Sequence, residues 1–316
     1  MTRSFLIWTM GLYMALIPKQ AEAEETRYAG DPLLAGAGAR SLGMGGAFVA
    51  LADDATAAYW NPAGLAGQTL TEVQVQHAEQ FGGTVNQDAF ALARPTTVGG
   101  FGASILRLGV GRITLTDLED PTRPPGPDNR PVVSRVAGAA DHTVYLAYGR
   151  RATPSLSVGV ALKMAWRRLG VGNGSGFGFD LGLLYESGTG IRAGLSVRNA
   201  TRTRIHFDSG AEDRISPSLL IGLAYSRRFP ALRGRVVWSS SAHLGEQKSE
   251  VESGQGLCLG TEYLYRDVLA FRIGVRDRRF TAGTGVHLFD RLAFDLAYLD
   301  HGELDNTYRI SASLFF

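Results

Sequence analysis

An alternation of period two recurs along much of this chain and runs to its last residue. In the final stretch Tyr308, Ile310, Ala312, Leu314 and Phe316 fall on one face of an extended strand, and Arg309, Ser311 and Ser313 on the other. The same split separates Leu156, Val158, Val160, Leu162, Met164 and Trp166 from Ser157, Gly159, Ala161, Lys163, Ala165 and Arg167. Strands of this kind meet lipid with one face and a polar interior with the other. Beyond residue 23 no stretch approaches the roughly 18 apolar residues of a spanning helix. In lipid only helices and closed sheets satisfy their own backbone. The expected fold is therefore all-β, a transmembrane antiparallel barrel of about 12–14 strands.

The start of the chain points the same way. Arg3, the largely apolar run Phe5 to Ile17 and the small-x-small site Ala21-Glu22-Ala23 read as a signal peptide over residues 1–23. The expected destination is the outer membrane, with its lipid and the barrel-assembly machinery as partners. The terminal Phe316 resembles the assembly signal that this machinery recognises. Gly, at 40 residues, exceeds the usual share and falls inside strands, where barrels use it for bends and close approach. A net charge of +2 implies no nucleic-acid partner. Cys258 is the only cysteine, so no intrachain disulfide forms.

Further strands are expected near 69–78, 87–94, 98–108, 142–150, 176–185, 191–198, 217–228, 233–243, 255–265, 268–277, 279–288 and 291–300. Tyr145, Tyr148, Trp166, Tyr225, Trp238, Tyr263, Tyr265 and Tyr298 near strand ends suggest interfacial girdles. Thr116 to Asp141, with five prolines, and Asn199 to Pro217 read as long external loops. The inward face is expected to carry Lys163, Arg167, Asp180, Arg192, Arg198, Arg235, Glu262, Arg272, Arg276 and Asp295. These charges can either fill the lumen as a network or favour anionic solutes.

Residues 33–66 hold three further elements: Gly38-Ala39-Arg40-Ser41-Leu42-Gly43-Met44-Gly45-Gly46-Ala47, then Ala52-Asp53-Asp54, then Asn61-Pro62-Ala63-Gly64-Leu65. Gly43, Gly45 and Gly46 permit close backbone approach or positive φ. Asp53 or Asp54 can cap a short helix through Tyr59 and Trp60. Pro62 pushes Asn61 out of helical geometry, and Gly64 suits the turn that follows. This segment resembles the PorV/PorQ family of outer-membrane proteins, itself similar to the FadL-like transporters of hydrophobic compounds. The resemblance implies a plug or hatch over residues 24–66 inside a barrel over 67–316. It implies one of two functions: a passive conduit for hydrophobic or amphipathic small molecules, or a non-conducting shuttle for secreted protein cargo.

Catalytic chemistry has little support. The six histidines lack close ligand spacing, no Gly-x-Ser-x-Gly elbow occurs, and the glycine-rich stretch is framed neither as a dinucleotide site nor as a P-loop. No enzyme, metal or cofactor is expected.

Overall fold

The computed structural model describes residues 36–168, 172–245, 255–302 and 305–316. The expected signal peptide and residues 24–35 lie outside them. Among the described residues sixteen strands form one antiparallel sheet: β1 (Glu72–Gln80), β2 (Val85–Thr96), β3 (Gly99–Leu118), β4 (Pro131–Thr153), β5 (Leu156–Arg168), β6 (Asn173–Glu186), β7 (Ile191–Arg198), β8 (Thr203–Phe207), β9 (Glu212–Ile215), β10 (Ser218–Phe229), β11 (Gly234–Gly245), β12 (Gln255–Tyr265), β13 (Leu269–Arg276), β14 (Arg279–Leu288), β15 (Leu292–Leu299) and β16 (Thr307–Phe315). β1 pairs with β16 and β5 with β6, so all but β8 and β9 make a closed wall of fourteen strands.

Alternation decides which face turns inward. Along β16 Arg309, Ser311 and Ser313 are buried, while Tyr308, Ile310 and Leu314 are exposed on the outside. Val75, Phe90, Ile105, Leu146, Leu181, Phe271 and Phe294 continue the exposed apolar band around the wall. A closed wall with an apolar exterior and polar interior is what a bilayer demands, and the protein is an outer-membrane β-barrel. Among the described residues no helix is long and apolar enough to cross a membrane.

Three sequence expectations change. The stretch Thr116 to Asp141 is mostly strand, with only residues 119–130 as loop. β2 accompanies β3 as far as Val110 and β5 accompanies β4 from Ala140, so the rest of β3 and β4 stands beyond the wall as a two-stranded ribbon, irregular between Val110 and Ile113. Pro131 is tolerated as the first residue of its strand. Likewise Asn199 to Pro217 contains the hairpin β8–β9, which continues along β6 where β7 stops. Finally, Tyr145 is no girdle residue. It sits on the inward face and packs edge-on against Tyr59 at 5.8 Å.

Candidate functional site

Residues 36–67 run inside the barrel as a chain of short pieces: helix α1 (Ala39–Gly43), helix α2 (Ala57–Trp60) and a 3₁₀ turn (Pro62–Gly67). Nearly all of them are buried, and Met44, Phe48, Val49, Tyr59 and Trp60 belong to the main apolar cluster. So little regular structure inside a sheet cylinder requires other partners for its polar groups.

The wall meets this segment with a belt of glycines. Gly100, Gly149, Gly159 and Gly182 lie in direct register across β3, β4, β5 and β6. A Cβ on Gly100 would come within 2.0 Å of the Leu65 carbonyl oxygen, and one on Gly159 within 2.3 Å of the Ala63 nitrogen. On the next strand, β7, Gly194 stands similarly close to Val49, and further round the wall Gly260 and Gly274 do so to Met44 and Gly45. The glycine-rich composition thus buys backbone-to-backbone contact between wall and internal segment. In the segment itself Gly45 and Gly46 adopt positive φ, with a Cβ on Gly45 falling 2.7 Å from the Val275 carbonyl oxygen. Gly43 packs against Gly283 without positive φ, and Gly64 faces the Ala52 carbonyl oxygen rather than supplying a left-handed turn.

Asn61 is the main polar fastener of the second half. Its Nδ2 donates to the Val49 and Leu183 carbonyls, both at 3.0 Å, and its Oδ1 accepts from the Ala63 amide at 3.1 Å. Extended geometry at Asn61 ends α2, and Pro62 opens the 3₁₀ turn.

A buried ion network holds the first half. Arg40 reaches Asp53 at 2.6 Å and grips Glu262 through two contacts at 2.8 and 3.0 Å. Glu262 also accepts from Arg272 at 2.7 Å, and Arg272 continues to Asp295 at 2.6 Å. Burial opposes the charge on Arg40, yet Asp53, Glu262 and Asp54 outweigh it and hold the guanidinium further above its ordinary range. Burial also opposes ionisation of Asp53, but Arg40 and Arg192 prevail and hold its carboxyl below the usual carboxylate range. For Asp54 burial wins, and its carboxyl is pushed up. Neither aspartate caps α2: Asp53 serves the arginines, and Asp54 takes the Thr56 amide one residue before the helix.

The remaining inward charges are dispersed. Lys163 pairs with Asp180 at 2.7 Å, Arg192 with Glu186 at 3.0 Å and Asp53 at 3.4 Å, and Arg167 with Asp141 at 3.0 Å and Asp213 at 3.4 Å. Arg198 lies over the Tyr59 ring at 4.4 Å. Arg235 joins none of these networks, and its Nε has no hydrogen-bond partner among the described residues. Phe316 is exposed beyond the end of β16.

Sequence reasoning missed Arg40 as the centre of the ion network. It also missed Gln76, Gln87 and Arg309, which bind the backbone of Gly36 and Gly38. The parity of Arg309 on the last strand was the available signal for its inward position.

The fold and its occupied lumen define a class, outer-membrane barrels whose interior is filled by an N-terminal segment. The chain belongs to the uncharacterised protein family UPF0164, whose model matches residues 13–275. It has the fold of the toluene transporter TbuX of Ralstonia pickettii, with TM-score 0.59, 15% identity, and 90% of this chain and 99% of that chain covered. The toluene transporter TodX of Pseudomonas putida superposes at TM-score 0.61 and 14% identity, covering 90% and 99%. The monoaromatic hydrocarbon channel CymD gives 0.60 and 14%, covering 90% and 98%. No curated protein matches by sequence.

Proposed function

We propose that this protein is a passive outer-membrane conduit for small hydrophobic or amphipathic compounds, and that residues 36–67 are its plug in the closed state. The observation that carries this reading is the belt contact itself. A segment rich in buried apolar side chains is seated across the lumen on glycine backbone and a few polar fasteners, in a fold shared with hydrocarbon transporters. Such a contact closes the lumen without being continuous with the ladder of the wall, so the two can separate.

A passive conduit needs no reacting group, and the expectation that the chain is not an enzyme belongs to this reading. The secretion-shuttle alternative has no observation in its favour, because the matching family model is UPF0164 and the structural relatives are transporters. Deletion of the gene tests both. The conduit reading expects loss of growth on a hydrophobic carbon source with secreted proteins unchanged; lost secretion with intact uptake would replace it with the shuttle.

A further inference from the structure

Resting on the conduit reading, we propose that the solute passes down the inward face of β7 and that the route accepts organic anions. The inward residues of β7 are, from the short-turn end, Arg192, Gly194, Ser196 and Arg198. Arg198 is 6% exposed, yet no carboxylate lies within ion-pair distance of it among the described residues. Its polar contacts are the Tyr59 hydroxyl at 3.4 Å and the Tyr59 carbonyl at 3.3 Å, both long. Asp180, whose charge acts on Arg198, is hydrogen-bonded to Lys163 and to the Asn199 amide, each at 2.7 Å. The guanidinium also lies over the rings of Tyr59 at 4.4 Å and Trp60 at 5.5 Å, which offsets part of its burial; an anion facing it would supply the charge partner that these rings do not.

The surroundings supply further donors. Arg198 is paired with Ser218, Ser196 with Leu220, and Leu220 with His243, while Ser241 lies opposite Gly222. Polar groups thus ring Leu220 on three adjacent strands. Ser196, Ser218 and Ser241 are each at most 5% exposed, and their hydroxyls, with Nε2 of His243, have no hydrogen-bond partner among the described residues. Buried polar atoms normally find partners, and these four groups converge on one place. A carboxylate, sulfonate or phosphate head would complete this patch.

Below this patch the plug meets β7 and β10 through its backbone. Val49 and Ala50 cross Gly194 and Gly222 by backbone approach alone. Beneath them Arg192 reaches Asp53 at 3.4 Å, beside a recess lined by Leu51, Gly64, Leu184 and Glu186. Three strands round the wall, at β12, the plug is held by the shorter contacts of Arg40 to Glu262 at 2.8 and 3.0 Å. Glu186 and Asp53 offset Arg192 at the exit, so charge selection falls to Arg198.

The test uses the mature barrel in proteoliposomes, with benzenesulfonate and benzyltrimethylammonium as probes of similar size and opposite charge. Wild type is expected to pass the anion about tenfold faster, the effect of one charge-assisted contact. Arg198→Gln should bring the ratio near one, Arg198→Lys should retain most of it, and Ser218→Asp, which gives Arg198 a carboxylate across the strands, should also bring it near one. Arg167→Gln, off the route, should change nothing. Heat-modifiable gel migration verifies that each variant is folded, and the Lys and Asp variants decide the matter if the Gln variant fails to assemble. A wild-type ratio of one, or equal effects of Arg167→Gln and Arg198→Gln, overturns the route while leaving the conduit standing. Absence of flux for both ions overturns the route, and the growth test above decides the conduit separately.

Discussion

At the scale of single residues, the plug depends on a few side chains with several partners each. Asn61→Ala removes three hydrogen bonds and strands the Val49 carbonyl in a buried place. Leaving a buried polar group unsatisfied costs about 1–3 kcal/mol. The wall ladder is untouched, so the variant should keep its heat-modifiable migration while leaking a small dye faster than wild type; unchanged leakage would remove Asn61 from the closure. Gly45→Val acts by a different cause. It places a branched side chain at φ 66°, against the carbonyls of Val275 and Leu259. Overpacking costs roughly 1–3 kcal/mol, and the strained backbone adds to it. Leakage should again rise with assembly intact, and wild-type leakage would reduce this glycine to a folding feature. The sequence exposed the positions of these residues but not their partners. Asp53 and Asp54 looked like caps because local hydrogen bonding is the only chemistry a linear chain displays, whereas their arginines lie on α1 and, for Asp53, also on β7.

At the scale of elements, strands were legible where two different media flank them. β5, β7 and β13 to β16 follow the alternation closely because one face meets lipid and the other the lumen. The outer parts of β3 and β4 escaped detection because the prolines between them read as loop, and the alternation Ile113-Thr114-Leu115-Thr116 is too short to outweigh them. The glycine belt was hidden for a different reason. Gly159, Gly182 and Gly194 could each be placed on an inward face, but their alignment exists only once the register of neighbouring strands is known. The ribbon has no third strand to pair with and lies past the wall, so it contributes nothing to closure. Replacing residues 113–136 by a short turn should leave heat-modifiable migration and the thermal midpoint of the barrel close to wild type. A barrel that no longer assembles would place the ribbon in the folding nucleus instead.

At the scale of the whole molecule, closure joins the first and last strands, and this separates stability from assembly. β1 and β16 are paired from Glu72↔Phe315 to Glu79↔Tyr308. Phe316 adds only a terminal pair of backbone bonds, its amide to the Thr71 carbonyl at 2.9 Å and its carbonyl to the Thr71 amide at 3.3 Å. Its side chain is 67% exposed and so buries little against the protein. Each backbone bond contributes a net of about 0.5–1.5 kcal/mol, a small part of what the rest of the seam supplies. Deleting Phe316 should therefore shift the denaturant midpoint of barrel refolded into detergent only slightly. If the residue is read by the assembly machinery, the same deletion should sharply lower the heat-modifiable fraction in cells, while export across the inner membrane continues. The two assays together discriminate: parallel losses in detergent and in cells would make Phe316 a structural residue, and an unchanged yield in cells would deny it any part in recognition.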